Sequence, residues 1–243
     1  MNDICKIYKT LYKIYGPQGW WPFLNYDSKN NLNSKNIYNY HINDYTFPKS
    51  SNQIFEVCLG SILTQNTTFS SVVKALKNLY VIDCLTPEKI QATNIEKFKK
   101  AIKVSGYYNQ KSNYIMAFIK FYNSLDSKIP TRKELLNIKG IGEETADSIL
   151  LYGYNQTEFK VDAYTKRIFL ELNLINKKAK YKDIKKLAED SLQEITKDKE
   201  ELRIIYQEFH ALIVKHAKQF YSKKPYGVGC ILKKINLNYI FIQ

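Results

Sequence analysis

Apolar positions recur at helical spacing along most of this chain. Ile4, Tyr8, Leu11, Tyr12 and Tyr15 share one face of a segment interrupted by Lys6, Lys9 and Lys13, which predicts an amphipathic helix over residues 2–15. Gly16-Pro17-Gln18-Gly19 ends it, and Trp20-Trp21-Pro22 follows in a loop. Residues 27–46 are rich in Asn, Ser, Lys and Tyr, have no period, and read as an inserted surface loop. From residue 52 the helical pattern resumes, predicting helices over 55–63, 70–80, 87–91, 95–104 and 110–123, with Asp83 or Thr86 available as a cap. After Pro130, two short helices (132–137 and 143–152) flank Gly140-Ile141-Gly142; further helices follow over 163–172, 181–196 and 199–220. A basic, turn-rich tail closes with the apolar strip Ile235 to Ile242. No alternating strand pattern of useful length occurs, so the expected class is all-α.

Bulk composition narrows the functional classes. The 243 residues carry 37 Lys and Arg against 23 Asp and Glu, a net charge of +14, which suits a polyanionic partner. Cys5, Cys58, Cys84 and Cys230 are scattered without metal-ligand spacing or a disulfide framework. The expectation is free thiols in an intracellular protein, cytoplasmic and associated with the nucleoid. No apolar run approaches the ~20 residues of a membrane span, and the N-terminus has no signal-peptide core. His210 and His216 lie in one helical segment with no third ligand nearby, so no metal site is expected.

The most informative stretch is Ile138-Lys139-Gly140-Ile141-Gly142-Glu143-Glu144-Thr145-Ala146-Asp147, followed by Phe159-Lys160-Val161-Asp162. Two glycines one residue apart make a turn that residues without a Cβ enter most cheaply. Backbone N–H groups around them would open the second helix and form a nest for one phosphate. Asp162 then precedes a helix start, where a carboxylate is both a good N-cap and readily ionised. Capping and catalytic roles are both open to it, and they are physically compatible.

This segment resembles the helix-hairpin-helix motif and its following Asp in the endonuclease III superfamily of DNA glycosylases. The likeness extends over roughly residues 4–26 and 52–232. It implies a two-lobed, all-α fold with the active-site cleft between the lobes. Residues 51–156 would form the central lobe with the hairpin, residues 157–243 the lobe carrying the catalytic Asp, and residues 1–50 would pack with that second lobe. The Gly16-to-Pro22 stretch is similar to the bacterial endonuclease III-like 3-methyladenine DNA glycosylases.

The resemblance also assigns roles. Asp162 would be catalytic. Trp20, Trp21, Pro22, Phe69 and Glu144 would shape the base pocket, although the indoles could equally be core and Glu144 a solvated residue of a first helical turn. Lys139, Gly140, Ile141, Gly142, Thr145 and Asn66 would bind the DNA, with Gln65 and Tyr107 entering the duplex. Bifunctional relatives carry a Schiff-base Lys at the position of Glu144, so strand cleavage by this chain should be weak or absent. Many relatives end in four Cys that hold an iron–sulfur cluster. Here Tyr221 and Gly227 occupy ligand positions and only Cys230 remains, so no cluster and no other cofactor is expected. The methyladenine members carry a carboxylated lysine at the position of Leu212, which this chain lacks.

The function implied is a monomeric, monofunctional DNA glycosylase of base excision repair. Its partner would be double-stranded DNA containing a damaged base, and its first candidate substrate an alkylated purine such as 3-methyladenine. Two alternatives stand beside it: a glycosylase for mismatched, deaminated or oxidised bases, and a non-catalytic helix-hairpin-helix DNA-binding protein.

Overall fold

Side-chain caps set most of the helix starts. The computed structural model describes residues 2–24 and 40–235. Most of the predicted insertion (27–39) and all but the first residue of the C-terminal apolar strip lie outside the described residues. Asn2 accepts the Cys5 N–H and opens α1 (Asp3–Tyr15); Ser50 and Thr68 do the same for α2 (Ser51–Leu63) and α3 (Phe69–Val81). Thr86 caps α4 (Pro87–Ala92), which has Pro in its first turn, and Asn94 caps α5 (Ile95–Ile102). Asp83, the other candidate cap, instead takes a left-handed backbone (φ 55) and pairs with Lys89. The helix expected over 95–104 ends early and tightens into a 3-10 turn, Lys103–Ser105, before α6 (Tyr108–Ser124).

A capping box between Thr131 and Glu134 opens α7 (Arg132–Leu136), and α8 (Glu143–Ser148) continues into a π-helical stretch, Ile149–Gly153. Asp162 and Asp198 cap α9 (Ala163–Glu171) and α11 (Lys199–Phe220), with α10 (Tyr181–Leu192) between them. No β-strand occurs among the described residues, and none of their helices is long and apolar enough to cross a membrane.

The chain forms two compact units. One comprises Trp21–Asn155; the other joins Met1–Trp20 to Gln156–Gln243. Residues 1–20 group with the C-terminal part, and the boundary with the central unit falls at Trp21, inside the stretch 1–50. The division falls between the two tryptophans because the residues after Trp20 are tied to the central helices. The Trp21 ring covers Gly60, the Leu24 N–H is accepted by Glu56, and Asn155 donates to the Phe47 carbonyl. In the central unit, Phe55, Ile62, Leu76, Phe98, Phe118 and Ile149 belong to one buried cluster of α2, α3, α5, α6 and the π stretch. In the other unit Phe209 of α11 is the hub: Tyr8 meets it edge-on at 5.7 Å, and Phe159 and Phe169 lie at 5.8 and 6.5 Å.

Candidate active site

The hairpin between α7 and α8 needs its first glycine twice over. Gly140 has φ +90, and a Cβ there would lie 2.1 Å from the Tyr114 ring. Ile141 is buried as the anchor of the turn. Gly142 is extended, exposed and faces open space, so the fold itself would accept a Cβ. Its glycine leaves the N–H groups of the first turn of α8 open to a close approach, as a phosphate would require. Lys139 is exposed beside it. Behind the turn, Arg132 grips the fully buried Asp147 through Nε at 2.7 Å and Nη2 at 3.3 Å, locking α7 to α8. Gln65 Nε2 donates to the Gly140 carbonyl (2.8 Å) and to Thr145 Oγ1 (3.1 Å). The structure therefore ties Gln65 and buried Thr145 to the hairpin.

Two backbone outliers flank this surface. Asn66 (φ 52) and Tyr107 (φ 48, ψ 32) are both left-handed and exposed, and Tyr107 leaves 65% of its surface to solvent. A left-handed aromatic residue costs roughly 1–3 kcal/mol, so the conformation is one the surroundings impose. Tyr107 follows Gly106 and immediately precedes α6, which presents its ring at the end of a rigid element.

In the other unit Asp162 is the N-cap of α9. Its Oδ1 accepts the Thr165 backbone N–H at 2.7 Å and the Thr165 hydroxyl at 2.9 Å, and its Oδ2 lies 3.5 Å from His210 Nε2. Burial would raise its pKa. The hydrogen bond from His210, the charge of buried Lys160 and the Thr165 N–H outweigh that and hold the carboxyl below the usual carboxylate range. His210 is pushed down by burial first and then by Lys160, against the pull of Asp162. With burial disfavouring the imidazolium, the consistent state is an ionised Asp162 beside a neutral imidazole that donates through Nε2. A fixed carboxylate of this kind stabilises positive charge developing on a sugar, and it can accept the proton of an attacking water.

Trp20 and Trp21 part company. Trp20, half-buried, meets His210 edge-on (5.9 Å between centroids, 81°), so it stands beside Asp162. The loop carrying it is held by buried Glu208, which accepts the N–H groups of Gln18 (2.7 Å) and Gly19 (3.1 Å). Trp21 is 2% exposed in the central unit, packed on Gly60 and against Phe69 and Tyr152. It is a core residue there. Pro22 is also buried, Phe69 is half-buried at the start of α3, and Glu144 is exposed in the first turn of α8.

The loop after α11 tests the four-thiolate arrangement. Cys230 Sγ lies 3.0 Å from His216 Nε2 and accepts a hydrogen bond from Tyr221 Oη at 3.2 Å. On its other side the imidazole meets Tyr15 Oη at 2.9 Å, and Tyr15 donates to Gln219. All four members can be neutral in one directed chain: Tyr221 to Cys230, Cys230 to His216, His216 to Tyr15. At Gly227, which has φ +70, a Cβ would fall 2.6 Å from Lys233 Cε, the flexible end of a side chain, and 3.0 Å from Tyr221 Oη. These residues do not fit an iron–sulfur cluster. Among the described residues no group of three or more His, Cys, Asp or Glu side chains could hold a metal ion.

Sequence reasoning missed His210, Lys160, Thr165 and Glu208 as parts of the Asp162 site. Thr165 was open to detection, because an Asp three residues before a Thr N–H is an N-cap pattern. Glu208 and His210 lie among the apolar residues Phe209, Ala211 and Leu212 in the middle of α11, and only the turn of α11 toward Asp162 and the Trp20 loop shows what they face.

Comparison with known proteins places this geometry. The model of the HhH-GPD superfamily of base excision DNA repair proteins matches residues 59–194. A Methanocaldococcus jannaschii protein named as a DNA repair glycosylase is 39% identical over 246 residues, covering 97% of this chain and 96% of that protein. Endonuclease III of Sulfolobus acidocaldarius is 31% identical over 198 residues, 79% of this chain and 85% of that one. Among solved structures, H. pylori 3-methyladenine DNA glycosylase bound to 1,N6-ethenoadenine matches with a TM-score of 0.67 and 26% identity over 90% of this chain and 98% of that one. A non-covalent endonuclease III–DNA complex matches with a TM-score of 0.66 at 18% identity over 96% and 94%, a likeness of fold. The family match spans more than half of the chain and takes in both the Gly140–Gly142 hairpin and Asp162, and this protein belongs to the HhH-GPD superfamily of base excision DNA repair proteins.

Proposed function

We propose that this protein is a monofunctional DNA glycosylase that binds double-stranded DNA as a monomer, flips out a damaged base and hydrolyses its N-glycosidic bond. The observation that carries the reading is the placement of Asp162: its carboxylate caps α9, accepts the Thr165 N–H and hydroxyl, and lies 3.5 Å from His210 Nε2, which in turn meets the Trp20 ring. The hairpin would take a backbone phosphate and Tyr107 would enter the duplex. Asp162 would stabilise the oxocarbenium-like sugar and orient or deprotonate the attacking water, leaving an abasic site. Glu144, standing where bifunctional relatives carry Lys, supports hydrolysis without strand cleavage. The reading needs no cofactor, in keeping with the donor set of the loop at Tyr221–Cys230.

The first candidate substrate is an alkylated purine, a cationic leaving group that needs little acid catalysis and that an aromatic face attracts. Similarity to the H. pylori 3-methyladenine enzyme supports it. A second reading, deaminated or mismatched bases, is favoured by the burial of Trp21. That burial leaves Trp20 beside the polar His210 and Glu208 at the Asp162 site, a less aromatic slot than two indoles would make.

The test is chromatographic release of free base from methylated duplex DNA and from duplexes containing uracil or G·T mismatches, with gels run with and without alkali. Free 3-methyladenine, with strand breaks only after alkali, is the expected result. Release of uracil or thymine alone would move the substrate to the second reading. Strand breaks without alkali would overturn the monofunctional assignment, and release of no base would leave DNA binding as the function.

A further inference from the structure

Lys111 is a buried charge with no part in the chemistry above. It lies in the second turn of α6, 2% exposed, and a lysine is rarely buried to this extent without fixed partners. Its Nζ donates to the Leu63 carbonyl and to the Ser105 carbonyl, each at 2.7 Å. Leu63 is the last residue of α2, so its carbonyl is one that the helix leaves unsatisfied. Ser105 ends the 3-10 turn that leads into Gly106 and Tyr107. The Lys111 backbone N–H meanwhile donates to the Tyr107 carbonyl at 2.9 Å, so one residue holds both sides of the Tyr107 turn.

The two carbonyls belong to the two segments that run into the left-handed, exposed residues Asn66 and Tyr107. Two residues after Leu63, the Gln65 side chain reaches the Gly140 carbonyl of the hairpin. A continuous path therefore runs from the Tyr107 turn through Lys111 to the end of α2, then through Gln65 to the hairpin. Burial lowers the Lys111 pKa to about 8. The ammonium has three donors and the neutral amine two, so either form can make both bonds.

We propose that Lys111 is a positioning residue for base flipping, which fixes Tyr107 relative to the phosphate-gripping hairpin so that the ring fills the space the extruded nucleotide leaves. This rests on the reading of the protein as a base-flipping glycosylase. A plug matters where an orphaned partner base must be kept stacked, and matters little where there is none.

The experiment compares single-turnover base release by wild type, Lys111→Met and Tyr107→Ala on two duplexes, one with the damaged base paired and one with it opposite an abasic-site analogue. Lys111→Met should lower release from the paired duplex by about tenfold or more and from the abasic-opposed duplex by less than about threefold, the pattern also expected of Tyr107→Ala. Lys111→Arg, which retains two donors, should recover part of the loss. Reading the ratio of two substrates on the same preparation cancels any fraction of unfolded enzyme, and Lys111→Gln serves if Lys111→Met does not fold. Equal losses on both duplexes would reduce Lys111 to a structural role and overturn the proposal, as would no loss on either. A wild type inactive on both would overturn the glycosylase reading and the proposal with it, an outcome visible before any variant is compared.

Discussion

At the scale of single residues, the proposed chemistry turns on how Asp162 stays charged. Its Oδ1 is taken by Thr165, which leaves Oδ2 as the oxygen that faces His210. In the proposed reaction the ionised carboxylate is the active form, and its pKa is held below the usual range, so the acid limb of the rate profile should lie below the ordinary carboxylate pKa of about 4. His210→Phe removes a group that lowers this pKa while burial remains. The acid limb of kcat should therefore move up toward neutral pH, by about one unit or more, with the plateau rate changed less. A profile whose acid limb stays in place after the substitution would show that His210 does not act through Asp162. Trp20 and Trp21 illustrate the limit of local reading. Adjacent indoles on a loop look alike in sequence, yet one lies against His210 and the other on Gly60 in the core of a different unit.

At the scale of elements, the hairpin separates what folding requires from what binding requires. Gly140→Ala should destabilise the protein by about 1–2 kcal/mol or more, since it puts a Cβ at φ +90 against the Tyr114 ring. Gly142→Ala, extended and facing open space, should change thermal stability by less than about 1 kcal/mol while weakening DNA binding several-fold. Equal stability losses at the two positions, or undiminished DNA affinity for Gly142→Ala, would contradict the assignment of Gly142 to phosphate approach. The helices themselves were largely legible, because periodicity and caps act over four or five residues. Ser50, Thr68, Thr86 and Asn94 each bind an N–H within three positions in the chain. The π stretch at Ile149–Gly153 and the 3-10 turn at Lys103–Ser105 were not legible. Their hydrogen-bond register is chosen by packing, and apolar residues at those positions fit an α-helix equally well. The partners of Gln65, Gly140 and Thr145, were not legible either, because they are remote in sequence and met only through the fold.

At the scale of the whole molecule, two units divide the functions. The unit Trp21–Asn155 carries the hairpin, Gln65 and Tyr107; the unit joining Met1–Trp20 with Gln156–Gln243 carries Asp162, His210 and Trp20. A net charge of +14 suits such a protein to a DNA backbone. The family could be read from Gly140, Gly142 and Asp162 because their backbone and charge requirements leave few substitutes. The chain of Tyr221, Cys230, His216 and Tyr15 in the loop after α11 could not, since it is built from side chains on three separate segments. Burial pushes His216 down to about 4, which keeps it neutral and the chain intact at physiological pH. The central claim is that Asp162 carries the chemistry and not the binding. Its most direct test is single-turnover base release by Asp162→Asn against wild type on the preferred damaged duplex, with DNA affinity measured in parallel. The account predicts a loss of about a hundredfold or more in the rate of release, with DNA affinity kept or improved. Release at close to the wild-type rate would contradict it and leave Asp162 as a helix cap.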